Sequence, residues 1–388
     1  MKKDKIAILI KNLSFSYDCK NYLEINDLEI PANQIITILG PSGAGKSTFL
    51  NLLAGFLPAK SQIEYQENFK NFGYIMQKDN LYEEISVKKN LWISTKNSPK
   101  WTEKVWFLSL EKLKNQKNIN SLVEKSKKFF ANNKKGFWQK ICQKFHFFLT
   151  IILNLKFYFF YLKFRKKFFE SEVQKVLKTL EITEVFGKKA ANISGGQQQR
   201  IAFAKSIIKG DNLILMDEPF SSLDAKIKES TIKLLLKIKH EFNMTIILVT
   251  HDQVDALKIS DQIILLKDGK IVQFSTPQEL FDNPKSLFAA KFIGSPEINF
   301  LEKKQEISYF IRDKNIKILP TNNEKNGKIL FSKKIADSYY YQVRDLEKQI
   351  DLELFLPKQI LGTDVKIEYD KVKILAFDER GNRVFAEN

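Results

Sequence analysis

The chain has 388 residues, too many for one ordinary domain and enough for two with a substantial buried core. With 44% hydrophobic residues it is not a disordered chain, and its two cysteines, Cys19 and Cys142, argue against a disulfide-stapled scaffold or a cysteine metal site. The formal net charge of +18 suits a polyanionic neighbour, either nucleic acid or an anionic membrane surface, although a biased genome would equally enrich Lys, Asn, Ile and Phe.

In chain order, Ile6–Tyr17 and Glu24–Ile30 read as two opening strands. No amino-terminal signal stretch precedes them, so a cytosolic location is expected. Gln34–Leu39 reads as a short buried strand. It runs into Gly40-Pro41-Ser42-Gly43-Ala44-Gly45-Lys46-Ser47-Thr48, from which a helix is expected to continue to about Gly55. Small residues let successive backbone N–H groups approach phosphates closely, and the helix dipole favours the anion. Lys46 is placed to reach the β- and γ-phosphates of ATP, and the Ser47 hydroxyl to ligate Mg²⁺. A further strand, Phe72–Met76, leads into Gln77.

Between Asn97 and Glu170 there are 17 Lys and Arg against 4 Asp and Glu, a net of +13 in one segment, which composition alone does not explain. Inside it, Phe145–Leu162 is hydrophobic enough to suggest a membrane span. Lys156 near its middle offsets the apolar gain, and basic residues flank both ends (Lys140 and Lys144; Lys163, Arg165, Lys166 and Lys167), which opposes a single crossing. A helix lying in the membrane interface satisfies both facts, with aromatics in lipid and lysines on the phosphates of anionic lipid. The alternative is a helical hairpin packed against its own protein or a partner.

Farther on stands Ile193-Ser194-Gly195-Gly196-Gln197-Gln198-Gln199-Arg200. The buried strand Asn212–Met216 delivers Asp217 and Glu218, followed by Ser221-Ser222-Leu223-Asp224. Another strand, Thr245–Val249, is followed by Thr250-His251-Asp252. Buried strands alternating with helices imply a parallel sheet, hence an α/β fold. After Val272 the pattern changes. Ile307–Ile311, Lys328–Phe331, Tyr339–Val343, Leu352–Leu356, Val365–Tyr369 and Lys373–Ala376 read as short strands of a small β-barrel.

The glycine loop followed by the Ser194–Arg200 signature resembles the ATP-binding cassette (ABC) ATPases. The resemblance implies a P-loop cassette with a helical subdomain over residues 1–298 and a regulatory, OB-like β-barrel over 299–388. It implies ATP and Mg²⁺ as cofactors, with Gly40, Pro41, Ser42, Gly43, Ala44, Gly45, Lys46, Ser47 and Thr48 around the phosphates and Tyr17 stacked on adenine. Tyr17 could equally be core packing. Asp217 would hold Mg²⁺ together with Ser47 and Gln77, Glu218 would polarise the attacking water, and His251 would contact the γ-phosphate. Ser194, Gly195, Gly196 and Gln197 would close over the ATP of a second cassette, most simply another copy of this chain, with Asp224 at the centre of the dimer-contact loop.

The 117 positions from Gln77 to Ser194 are about twice the family's usual spacing, which marks 97–170 as an insertion. The β-domain and the linker Phe292-Ile293-Gly294-Ser295-Pro296-Glu297-Ile298-Asn299-Phe300-Leu301 resemble the importer branch. The expectation is therefore the motor subunit of an importer, peripheral on the cytoplasmic face of the membrane. Gln77 and Tyr82–Leu91 would form the groove for transmembrane permease subunits, and an extracytoplasmic solute-binding protein would be an indirect partner. The solute expected first is a sugar or glycerol phosphate, then a polyamine. An exporter motor and a soluble ATPase acting on ribosomes or nucleic acid are the alternatives. A single cassette without long coiled coils makes nucleic acid the weaker partner.

Overall fold

Asn12 breaks what reads as one opening strand into two. It takes a left-handed conformation (φ 51°), which asparagine tolerates better than most residues, and the chain changes sheet there. Ile6–Lys11 lies between Leu28–Pro31 and Gln62–Tyr65 in a three-stranded sheet, whereas Leu13–Ser16 pairs antiparallel with Tyr22–Ile25 in another. The expected Glu24–Ile30 strand divides in the same way, into Tyr22–Ile25 and Leu28–Pro31. The computed structural model describes residues 6–17, 22–58, 62–76, 81–113, 123–124, 126–127, 155–221, 223–321 and 325–385. By spatial contact the chain forms two units, one of residues 1–9, 29–33 and 64–247 and the other of 10–28, 34–63 and 248–388. The division at 298/299 instead follows motif content.

In the second unit Ile35–Leu39 is buried along its whole length, as five consecutive apolar or β-branched residues require. It runs parallel to Gln262–Lys267, with Gln262 opposite Ile36 and Leu265 opposite Leu39. Gln262–Lys267 turns back antiparallel into Lys270–Ser275 through Asp268 and Gly269, both left-handed as a tight hairpin demands. The expected parallel pairing is present, here and between Lys270–Ser275 and Tyr22–Ile25, with antiparallel pairs beside it. Helix Lys46–Leu53 starts directly after the glycine loop and buries Phe49, Leu50, Leu52 and Leu53.

The carboxy-terminal strands of this unit form two antiparallel sheets. One contains Asn299–Lys304, Ile307–Ile311, Leu375–Phe377 and Arg383–Val384; the other has Ile316–Pro320, Asp364–Tyr369, Gly327–Ile335, Ser338–Asp345 and Ile350–Leu356 in that order. Residues from both, among them Leu301, Ile311, Tyr341, Val343, Leu354 and Ile367, share one core. The small barrel expected from sequence thus takes the form of two sheets over a common core, with Asn299–Lys304 and Ile316–Pro320 added to the strands anticipated. Arg312 ties these strands to the preceding segment. Its buried guanidinium donates to the Phe281 and Ile293 carbonyls and lies 4.3 Å from the Phe281 ring, and desolvation lowers its pKa to about 10.

In the first unit, Phe72–Ile75 runs parallel to Leu213–Asp217, with Ile75 opposite Met216. The α-helices Val87–Lys96, Pro99–Glu111, Leu155–Thr179, Gly195–Lys209 and Ala225–Phe242 accompany these strands. Of residues 97–170, expected to be an insertion, the described parts are chiefly helix Pro99–Glu111 and the start of Leu155–Thr179. Ser98 caps the first of these by accepting from the Trp101 N–H, with Pro99 in the first turn.

The two helices meet through aromatic rings. Trp106 lies 5.1 Å from Phe157 and 4.9 Å from Tyr161, and Trp92, on the preceding helix Val87–Lys96, lies 4.9 Å from Phe169, all edge-on. Such pairs contribute about 0.5–1.5 kcal/mol each beyond burial. Arg165 turns inward as well, 5.0 Å from the Trp92 ring and 5.7 Å from Tyr161. Of the hydrophobic run Phe145–Leu162, residues 145–154 lie outside the described residues. The expectation that its aromatics sit in lipid is corrected for Phe157 and Tyr161, which are buried against Trp106. Among the described residues no helix is long and apolar enough to cross a membrane.

Candidate functional site

The strand Ile35–Leu39 ends on Gly40, where any side chain is sterically impossible: a β-carbon there would lie 2.1 Å from the Leu266 carbonyl oxygen. The neighbouring strand thus forces the loop to begin with glycine. The hairpin turn supports the loop from behind, with the Gly269 N–H bonded to the Ala44 carbonyl at 3.2 Å. Lys46 is buried, and its ammonium donates to the Gly40 and Pro41 carbonyls at 3.0 and 2.9 Å. The cation is therefore held at the loop it is expected to serve. Ser42, Gly43 and Ser47 are exposed, so the loop surface and the first hydroxyl of the helix are open to a ligand; Pro41, Gly45 and Thr48 are half-buried.

Two further expected residues belong to the same unit. The Thr250 N–H bonds to the Ile38 carbonyl at 3.3 Å, which sets the strand end carrying His251 beside the strand end that feeds the glycine loop. His251 is exposed, and the next residue, Asp252, caps helix Gln253–Ile259. Tyr17 is 58% exposed and meets the edge of Phe15 at 4.8 Å. It is not a core residue, and its ring is open to a partner.

The carboxylates and the signature belong to the other unit. Leu213–Asp217 is buried from Leu213 to Met216 and releases Asp217 and Glu218 at its half-buried end. The Asp217 charge reaches Tyr74 on the adjacent strand: burial and then this carboxylate push the phenol up to about 12. Glu218 has φ 44°, a left-handed conformation that costs a non-glycine residue energy, and Ser221 donates back to its carbonyl through both N–H and hydroxyl.

Ser194 caps helix Gly195–Lys209 in a reciprocal box, its hydroxyl accepting from the Gln197 N–H and its own N–H donating to the Gln197 side chain. Gln197 is also tied to Glu184 at 3.1 Å. Ser194 and Gly195 are exposed, and a β-carbon on Gly196 would lie 3.3 Å from the Ile227 side chain. Among the described residues a β-carbon on Gly195 would meet nothing within 4 Å, and its φ is not left-handed, so none of them requires glycine there. Asp224 caps helix Ala225–Phe242, accepting from Lys226 and Ile227. That local duty was not anticipated for it. Gln77 lies outside the described residues.

Sequence reading did not assemble the groove of about 580 Å³ in the first unit, lined among others by Tyr74, Met76, Tyr82, Ile93, Lys205 and Asp211. Tyr82 was expected there. Buried Asn90 fixes it, accepting from the Tyr82 N–H at 2.8 Å and donating to its carbonyl at 3.0 Å. Val87 and Leu91, from the same expected segment, are buried instead. Lys205 is half-buried, and desolvation followed by the nearby Lys209 lowers its pKa. The signal that could have found the groove is this pair of lysines one helical turn apart, beside an aspartate.

The sequence profile of the ABC transporter family matches residues 23–221, slightly more than half of the chain. A spermidine/putrescine import ATP-binding protein, PotA, of Mycoplasmopsis synoviae is 30% identical over 352 residues, 82% of this chain and 75% of its own. The chain belongs to the ABC transporter family. A PotA of Borrelia garinii matches nearly end to end, at 27% identity over 96% of this chain and 99% of the relative. An Fe(3+) ions import ATP-binding protein, FbpC, of Fusobacterium nucleatum is 28% identical over 98% and 96%. As an ABC ATPase the chain binds and hydrolyses ATP.

Proposed function

We propose that this ABC ATPase is the motor subunit of a membrane importer, working as a pair of cassettes that sandwich two ATP molecules. The near end-to-end similarity to import ATP-binding proteins, carboxy-terminal strands included, carries the reading. Lys46 exchanges its two loop carbonyls for phosphate oxygens when ATP arrives. Ser47 and Asp217, with Gln77, offer hydroxyl, carboxylate and amide oxygens, a donor set of the kind Mg²⁺ prefers. A Mg²⁺ ion held there would supply neutralisation of phosphate charge. Glu218 polarises the attacking water, His251 reads the γ-phosphate and Tyr17 stacks on the base.

Gly195 is glycine because a second cassette's nucleotide approaches it: its open surroundings leave the exposed amino end of helix Gly195–Lys209 to meet a γ-phosphate. Asp224 lies in the loop facing the other cassette. The groove beside Tyr82 accepts a helix of the permease, which holds the chain on the cytoplasmic face of the membrane, while a solute-binding protein acts only through the permease. The strands after residue 298 form a regulatory domain. The sequence placed a sugar or glycerol phosphate first; the similarity to spermidine/putrescine import proteins moves a polyamine to first place.

The test is co-purification from the native membrane. Two multispanning permease chains, with ATPase activity stimulated by a spermidine-loaded binding protein, are expected. Co-purification with ribosomes or DNA instead would overturn the importer reading, and stimulation by a different solute would overturn only the polyamine.

A further inference from the structure

We infer that one face of helix Leu155–Thr179 is a docking surface for anionic lipid headgroups, separate from the groove. This rests on the importer reading only in that it takes the polyanion available to the chain to be a membrane. At about 100° per residue, Leu155, Lys156, Phe159, Lys163, Lys166 and Lys167 fall within one third of the helix circumference. All six are exposed, with Phe159 67% accessible and Leu155 53%. The opposite side holds Phe157, Tyr161 and Phe169, which are buried against Trp106 and Trp92. Phe160, Phe164 and Phe168 form a stacked ladder at 6.0 and 5.8 Å, flanked by Lys112 over Phe164 and Lys104 over Phe168.

The helix is thus bonded to its own protein through one face and presents four lysines around two apolar side chains on another. The acidic residue that also falls on this arc, Glu170, one turn past Lys166, is bonded to Lys88 at 2.7 Å, and its carboxyl is held below the usual range by that bond and by the nearby Lys166. Positive charge therefore dominates the arc.

The details favour lipid over nucleic acid. Every cation on the arc is lysine, a point charge suited to diffuse phosphate. The planar cation of the segment, Arg165, is turned inward onto Trp92 and Tyr161, where it cannot stack on a base. Leu155 offers nothing to a base but buries readily at the boundary between headgroups and acyl chains, as Phe159 does. The surface needs no deep insertion: two apolar side chains enter the interface while the ammonium groups meet phosphates.

The purified full-length chain, without permease, should sediment with phosphatidylcholine vesicles that contain phosphatidylglycerol, not with pure phosphatidylcholine, and should be released by high salt. Each lysine at an anionic surface contributes roughly a fivefold factor in partition. Changing Lys156, Lys163, Lys166 and Lys167 together to Gln should therefore weaken binding at least about a hundredfold. The same four changed to Arg should restore it, and unchanged ATP binding by both variants shows that they fold. Phe159→Leu should keep vesicle binding, since an apolar side chain remains. Wild-type binding by the four-Gln variant, or equal binding to uncharged vesicles, overturns the assignment. So does capture of single-stranded RNA in preference to vesicles with loss in Phe159→Leu, which would mark a base-stacking surface. Because no permease or transported solute is present, these outcomes leave the importer reading to its own test.

Discussion

The glycine loop and the aromatic helix pair distribute their conspicuous residues in opposite ways. In Gly40–Thr48, Ser42, Gly43 and Ser47 are exposed, and the chain behind the loop is shaped to fit it: the Leu266 carbonyl admits no side chain at Gly40. In Pro99–Glu111 and Leu155–Thr179 the most prominent residues, the aromatics, largely face inward, and lysines are left at the surface. A motif defined by ligand chemistry survives folding unchanged because its residues must remain accessible. A segment defined by composition is partitioned by folding, and among its described residues Trp101, Trp106, Phe157, Tyr161 and Phe169 are core.

The largest effect tests the first region. Glu218→Gln should bind ATP yet hydrolyse it about 10²–10⁴-fold more slowly, the usual worth of general-base assistance, and should accumulate as a closed dimer. Single-turnover hydrolysis by the purified variant checks this, and near-normal turnover would remove Glu218 from the chemistry.

The second effect sharpens the contrast inside the helix pair. Phe169 is 1% exposed between Trp92 and Trp101, so Phe169→Ala should cost about 3–5 kcal/mol. Lys163→Gln on the outer face should stay within about 0.5 kcal/mol. Thermal midpoints of both variants measure the difference; equal midpoints would mean that the rings do not hold the helix.

A smaller effect asks whether the exposed Gly195 acts across a subunit boundary. Mixing Lys46→Ala chains with Ser194→Arg chains should recover ATP binding at one of the two composite sites. Mixed dimers binding no better than either parent would refute the sandwich.

The smallest concerns Asp211 in the groove. Burial raises its carboxyl pKa, and Lys209 at 2.7 Å offsets this only in part. The folded state therefore holds the proton more tightly than the unfolded state does, and this contribution to stability is lost as pH rises from the ordinary value of 3.8 through the raised one. Asp211→Asn should flatten that part of the pH profile of the thermal midpoint. A steeper decline than in the wild type would show that the Lys209 pair outweighs the burial.

By itself the sequence determined the glycine loop, the buried strands Ile35–Leu39 and Thr245–Val249, the signature at a helix start and most of the carboxy-terminal strands. These are local: periodicity, small residues where a backbone must be approached, and caps such as Ser194 can all be read within a few positions. Tertiary structure decided the rest. Asn12 redirects what reads as one strand into two sheets, which the sequence pattern does not reveal because both halves read as strand. Asn90 became the clamp on Tyr82 across eight positions, and Tyr17 stayed an exposed ring, neither of which the local pattern marks. Likewise, hydrophobicity along Leu155–Leu162 cannot distinguish rings that meet lipid from rings that meet Trp106. Both environments exclude water equally well, and only the position of helix Pro99–Glu111 decides between them.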